Sequence, residues 1–243
     1  MLSISYIIPC YNGETFIFSN IKKLVEKNKK LKINYEIIIV NDGSTDNTNL
    51  KISRLQKIYK KIKLVDSKVN YGKSFSIRKG LAVSKFEHII LLDADLPYFS
   101  YVPKIINELK KNTELVIVDR NHSKSILLNK PLSFYQFFRK KIGKIISNII
   151  FYVLNINMGI IDTQAGLKGF RKIQKFNKNK FISKKFFLDI EIIYFFKKMR
   201  KKICLVPVKY NIEENSTINL FSIKNIQIIY DFIKVITHLK FKN

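Results

Sequence analysis

A doubly wound α/β domain with a mostly parallel central sheet is the fold this sequence predicts, and three observations predict it. Short apolar runs alternate with amphipathic helical stretches through the first 120 residues. The chain has 243 residues, enough for one α/β domain with a sizeable core or at most two small ones. Its composition, 47% hydrophobic and 13% aromatic, is far too apolar for a disordered segment.

The elements follow in order. Residues 4–8 form a first strand, ended by Pro9, and residues 15–28 a helix. The run Glu36-Ile37-Ile38-Ile39-Val40 is a second strand, closed by the turn Asn41-Asp42-Gly43-Ser44. A second helix covers 45–59, with Asp46 placed to accept backbone N–H bonds in its first turn. A short strand at 62–66 precedes a helix at 74–84, entered through Gly72. The strand 88–92 leads into Asp93, and a helix at 103–111 and a strand at 115–118 complete the regular part. In such sheets ligands bind at the carboxyl ends of the strands, where Asp42 and Asp93 fall.

The second half is less regular. Residues 134–154 mix aromatics, Ile and Lys; 184–199 read as a helix and 203–208 as a strand. We divide the chain into a domain at 1–215 and a helical tail at 216–243. In the tail Ile226, Ile229, Ile233 and Ile236 recur at helical spacing, with Lys224, Lys234, Lys240 and Lys242 around them. Such a stripe packs on the domain's own core or lies on a membrane surface. Basic amphipathic helices are thus expected in the C-terminal half.

Forty-five basic residues against 18 acidic ones give a formal charge of +27. That balance calls for an acidic partner or surface: nucleic acid, anionic lipid headgroups or phosphorylated substrates. Only six of the basic residues are Arg, whereas proteins that read bases lean on Arg, so nucleic acid is not the expected partner. Cys10 and Cys204 make neither a disulfide framework nor a zinc spacing, and a reducing cytosol is expected. The strand pattern starts at once, so no secretory leader is expected. The uncharged stretch 145–161 carries Ser147, Asn148, Asn155, Asn157 and Gly159 and falls short of the roughly 18–20 apolar residues of a spanning helix.

The chemistry centres on Asp93-Ala94-Asp95, directly after the apolar run Ile89-Ile90-Leu91-Leu92. Two carboxylates there repel each other unless a cation lies between them, and a hard ion such as Mg2+ or Mn2+ takes oxygen ligands while carrying substrate phosphates. Spacing alone leaves a solvated turn equally open. After the first strand comes Pro9-Cys10-Tyr11-Asn12-Gly13-Glu14, a turn that exposes side chains at the sheet edge. In that setting Asp42 is placed to accept from a base N–H and Glu14 from a ribose hydroxyl.

Together these stretches resemble the family 2 glycosyltransferases, which have the GT-A fold. The family's order is Pro-x-Tyr-Asn-x-Glu, then Val-Asn-Asp-Gly-Ser-Thr-Asp, then Asp-Ala-Asp, as here at Pro9, Val40 and Asp93. Asn70-Tyr71-Gly72-Lys73-Ser74-Phe75-Ser76-Ile77-Arg78-Lys79-Gly80 is similar to a segment of the dolichyl-phosphate glucosyltransferases and their polyprenyl-phosphate relatives. So is Asp162-Thr163-Gln164-Ala165-Gly166-Leu167-Lys168-Gly169-Phe170. Ser74, Ser76 and Ala165 depart mildly from the family pattern.

The resemblance implies an inverting transfer of a hexose, glucose foremost, from a UDP-sugar donor to a lipid-phosphate acceptor at the cytosolic face of an anionic membrane. By position, Pro9, Tyr11, Glu14 and Asp42 hold the nucleoside, Lys73 and Arg78 lie near the base or phosphates, and Gln164 joins the donor site. Asp93 and Asp95 hold the metal, Asp95 counting also as catalytic. Arg120, in Val-Asp-Arg where the family has Gly-Ser-Arg, and Arg139 bind the acceptor phosphate; the Ser that relatives carry four residues later is Gly143 here. Asp189 and Glu191 match the family's Phe-Asp-x-Glu, and at i and i+2 on a helix they cannot share a face, so Glu191 is chosen as facing the site. Two rival readings remain: the same fold with a saccharide hydroxyl acceptor, which needs a general base, and a basic nucleic-acid or lipid-surface binding module without catalysis.

Overall fold

The computed structural model describes residues 2–128, 141, 148, 150, 152–154, 162–173, 181–211 and 225–241. Strands β1 (Ser3–Cys10), β2 (Asn34–Asp42), β3 (Ile62–Ser67) and β4 (His88–Leu92) alternate with helices α1 (Ile17–Lys30), α2 (Thr48–Ile58) and α3 (Lys73–Val83). Then follow α4 (Val102–Lys110), β5 (Leu115–Asp119), the short β6 (Ile126–Leu127), β7 (Leu167–Arg171), α5 (Leu188–Lys198), β8 (Ile203–Pro207), β9 (Lys209–Tyr210) and α6 (Asn225–Phe241).

The main sheet has the order β3-β2-β1-β4-β7-β5-β8. All its pairings are parallel except those of β7, which lies antiparallel between β4 and β5. The apolar runs show no polar alternation because both faces are covered. Tyr6, Ile8, Ile37 and Ile39 pack with Ile17, Ile21, Leu24, Ile52 and Ile105 on one side. Ile7, Ile38 and Val40 pack with Ile77, Leu81, Phe196, Val235 and Leu239 on the other.

Three sequence expectations shift. Strand β1 does not end at Pro9 but runs through it, pairing Pro9 with Val40. Its ladder with β4 stops at Ile7, so the missing proline N–H falls where β1 has one neighbour only. The helix expected at 184–199 starts at Leu188, because the Lys184 and Lys185 carbonyls are drawn onto the first turn of α3. In the tail, the buried face of α6 is Asp231, Val235 and Leu239, with Phe187 and Phe232 rings 5.1 Å apart, whereas Ile229 and Ile233 are exposed. Arg139, Gly143, Lys224 and Lys242 lie outside the described residues, and nothing is described of the side chain of Ile226. Among the described residues no helix is long and apolar enough to cross a membrane.

Candidate active site

The carboxyl ends of β1, β2 and β4 form one edge, and polar side chains lace its loops together. Asn12 donates its backbone N–H to Ser44 Oγ (2.9 Å) and accepts from the Thr45 N–H (2.9 Å). Gly13 N–H donates to Thr48 Oγ1 at 2.8 Å, and Asp46 accepts from the N–H groups of Glu14 (3.1 Å) and Thr48 (3.0 Å). The Glu14 carboxylate accepts from the side chain and backbone N–H of Asn47, which hold it below the usual carboxylate range. Tyr11 is exposed beside it.

Asp42 is buried and accepts from the backbone N–H groups of Tyr71 (3.0 Å) and Gly72 (2.9 Å). It therefore fixes the loop that opens α3, a role the motif alone did not indicate; each oxygen keeps one lone-pair direction for a further donor. Gly72 sits at φ +109°, and a Cβ there would meet the Lys184 carbonyl oxygen at 2.7 Å. The next residue, Lys73, sets its ammonium 2.5 Å from Asp93 Oδ1. Burial pulls that ammonium's pKa down, but Asp93, with Asp189 and Asp95, turns the net direction upward.

Asp93 is braced from behind. Its N–H donates to the Gly166 carbonyl at 3.1 Å, and a Cβ on Gly166 would fall 1.9 Å from Asp93 Oδ2. Asn20 of α1 donates to the Ala94 carbonyl at 3.0 Å, which leaves Asp95 exposed at the tip of the turn. The donor set fits a hard divalent cation with oxygen ligands. Among the described residues no group of three or more His, Cys, Asp or Glu converges, so phosphate oxygens and water would complete the shell.

Beyond Asp93 the strand β7 carries Lys168, fully buried. Its ammonium donates to the Ala165 carbonyl (2.6 Å) and pairs with Asp189 (3.0 Å). This orders the loop holding Gln164, whose N–H donates to Asp162 Oδ1 at 3.0 Å. Asp162 makes a two-pronged pair with Arg120 through its Nε and Nη2, the latter at 2.9 Å, and the Arg120 side chain remains 34% exposed. Asp119, buried at the end of β5, accepts from the N–H groups of Asn121 (2.8 Å) and Asp162 (3.1 Å), and burial pushes its carboxyl up.

Two placements differ from the sequence expectation. Glu191 does not face the site: it is buried and accepts from Ile182 (2.7 Å) and Ser183 (3.1 Å) N–H groups, and burial pushes it up to about 7. Of the pair it is Asp189 that lies close enough to Lys73 to raise its pKa. Arg78 donates to the Phe181 carbonyl at 2.5 Å, and its guanidinium carbon lies 5.7 Å from the Phe75 ring centroid. That places it against the 181–191 segment rather than with the Asp93 cluster.

A parallel sheet edge with a nucleoside-type loop, an Asp-x-Asp turn and an arginine set beside it describes a transferase for nucleotide-activated groups on a GT-A fold. Residues 5–165 match the family model for glycosyl transferase family 2, and the chain belongs to that glycosyltransferase family. It is 30% identical over 244 residues to the dolichyl-phosphate beta-glucosyltransferase of Dictyostelium discoideum, covering 96% of this chain and 73% of that protein. A dolichyl-phosphate beta-glucosyltransferase of Trichomonas vaginalis is 29% identical over 246 residues, covering 96% and 72%. Among solved structures, mannosyl-3-phosphoglycerate synthase from Rubrobacter xylanophilus superposes with a TM-score of 0.67 at 14% identity, covering 98% of this chain and 73% of that one. Glucosyl-3-phosphoglycerate synthase from Mycobacterium tuberculosis, in complex with Mn2+, UDP and glucosyl-3-phosphoglycerate, does so at 0.64 and 16%, covering 97% and 80%. At such identities the likeness is one of fold.

Proposed function

We propose that the chain transfers a hexose, glucose foremost, from a UDP-sugar to a polyprenyl or dolichyl phosphate, with inversion, at an anionic cytosolic membrane surface. The observation that supports this most is the meeting of four motif segments at one edge. Asp42 holds the loop of Tyr71 and Gly72, Lys73 reaches Asp93, Gly166 backs Asp93, and Arg120 pairs with Asp162. The names of the two relatives above support the acceptor class.

On this reading the loops around Tyr11, Glu14 and Asp42 bind the nucleoside, while Lys73 orients the diphosphate. Mg2+ or Mn2+, held by Asp93 and Asp95, would offset charge on the departing nucleoside diphosphate. Arg120, fixed in direction by Asp162, presents its remaining N–H groups to the acceptor phosphate. A phosphate monoester with a second pKa of about 6 is already largely ionised near neutrality, so it attacks without a general base. A hydroxyl acceptor would need one, and the two carboxylates considered for it are otherwise engaged, Asp189 by Lys168 and Glu191 by backbone N–H groups.

The test is transfer of labelled glucose from UDP-glucose to polyprenyl phosphate with Mn2+ or Mg2+. Asp93→Asn and Asp95→Asn should each lower kcat/KM by about 100-fold or more, roughly 2.7 kcal/mol of transition-state stabilisation. Full activity in both variants would remove the metal assignment. Transfer to a saccharide but not to the lipid phosphate would remove the acceptor assignment.

A further inference from the structure

Helix α6 lies in the tail that the sequence sets apart from the domain, yet its Asp231 is buried and occupied. One carboxylate oxygen accepts from Ser183 Oγ (2.8 Å) and the Lys185 N–H (3.0 Å), the other from the Lys184 N–H (3.0 Å). Three donors from one short segment thus converge on a single carboxylate. The same segment presents its carbonyls to the start of α3. The Ser74 N–H donates to the Lys185 carbonyl (2.8 Å) and the Phe75 N–H to the Lys184 carbonyl (3.1 Å). These are first-turn amides that have no partner inside their own helix. Ser74 Oγ, also buried, is 3.1 Å from Ser183 Oγ and accepts from the Leu188 N–H at 3.2 Å. The residue next to Ser74 is Lys73, 2.5 Å from Asp93.

We propose that Asp231 is a positioning residue for the donor's diphosphate. It holds Ser183–Lys185, that segment holds the first turn of α3, and the turn sets Lys73 against Asp93. The absence of a side chain at Gly72 lets the Lys184 carbonyl come this close. Asp231, Ser183 and Ser74 are buried and the bonds from Asp231 to this segment and from the segment to α3 are direct, so a change at Asp231 reaches Lys73 through the start of α3; the nucleoside loops at 11–14 and 44–48 make none of these bonds, and Asp42 meets the turn through the Tyr71 and Gly72 N–H groups. The proposal rests on the donor site described above, with Lys73 as a phosphate-orienting group.

Its signature is a loss confined to the phosphates. Asp231→Asn keeps the side chain's size but turns an N–H2 toward the Lys184 or Lys185 N–H. In the full-length protein, UDP should then bind about tenfold more weakly, as expected for one to two hydrogen bonds. Uridine should bind within twofold of wild type, and the KM for the lipid phosphate should stay unchanged. Binding is measured well below the variant's own melting temperature. Ser183→Ala, which removes the contact to Asp231 and leaves the carboxylate its backbone donors, should show the same selective loss at roughly threefold and serves if Asp231→Asn does not fold. Equal weakening of UDP and uridine, or unchanged UDP binding, would overturn the proposal. Wild-type protein that binds no UDP would instead defeat the donor-site reading on which it rests.

Discussion

The edge built by β1, β2 and β4 and the cover built by β7, α5 and α6 are held by different kinds of contact. At the edge, parallel ladders align the strand ends, and loop amides are satisfied by nearby Asn, Asp, Ser and Thr side chains. In the cover, charged groups are buried and each is met by a partner there: Lys168 by Asp189, Glu191 by the 182–183 amides, Asp231 by the 183–185 segment. The difference teaches which acids are available for chemistry. Asp93, paired with Lys73, and Asp95 are half-buried and exposed, respectively, at a strand end, whereas Asp189, Glu191 and Asp231 are buried and hold the second half against the first. A buried charge is costly unless fully paired, so such groups fix one arrangement and tolerate few others.

Breaking the deepest of these pairs tests that contrast most strongly. Lys168→Met leaves the Asp189 carboxylate buried without its cation, and should cost about 3–5 kcal/mol, read as a fall in the denaturant midpoint. Adding Asp189→Leu should recover most of the loss, since an apolar pair of similar size carries no desolvation penalty. A cost below about 1 kcal/mol for the single variant would mean that the pair is not what holds β7 to α5.

The same contrast explains what could be read from the sequence. Up to Asp119 every strand and α-helix lies within three residues of its expected place, because alternating apolar runs and polar turns are local signals. The Asp-Ala-Asp turn and the Asn41–Asp46 loop were visible for the same reason. Strand β7 was not: Leu-Lys-Gly-Phe-Arg has no period-2 pattern, and it becomes a strand by pairing with β4 and β5 from far along the chain. Gly169 within it allows α4 to pack closely, since a Cβ there would meet Ile105 Cγ2 at 2.4 Å. That Glu191 points away from the site was not legible because motif position gives no direction, and Asp231 was not legible because it lies on the face of α6 opposite the isoleucine stripe. Of the two places open to that stripe, Ile229 and Ile233 take the exposed one, and Val235 and Leu239 face in.

Glu191 sharpens the comparison through pH. Burial raises its folded pKa from an ordinary 4.5 to about 7, against the pull of the two amides it accepts from. A carboxyl with a raised folded pKa gives stability that is fully present below the unfolded value and is lost as pH rises through the folded one. Between about pH 4.5 and pH 7 the wild-type chain should therefore lose on the order of 3 kcal/mol from this group. Glu191→Gln should be less stable at low pH, with one amide left facing an N–H2, but should lack that slope. Parallel pH profiles of the melting temperature for the two proteins would show that Glu191 plays no such part.

Gly166→Ala tests the point where the cover presses directly on the Asp93 carboxylate. The added methyl would collide with the Asp93 carboxylate, 1.9 Å from Oδ2, and the carboxylate is the softer of the two since its side chain can rotate. The stability cost should be modest for an overpacked site, about 1–3 kcal/mol. The catalytic cost should be larger in proportion, because Asp93 would leave both Lys73 and its place beside Asp95. Glucosyl transfer should fall by about 100-fold at saturating metal, with the KM for metal raised, while Gly169→Ala, placed against α4 away from that carboxylate, should lose stability with kcat nearly intact. Equal kinetic losses in the two variants would show that the effect of Gly166 travels through the sheet as a whole and not through Asp93.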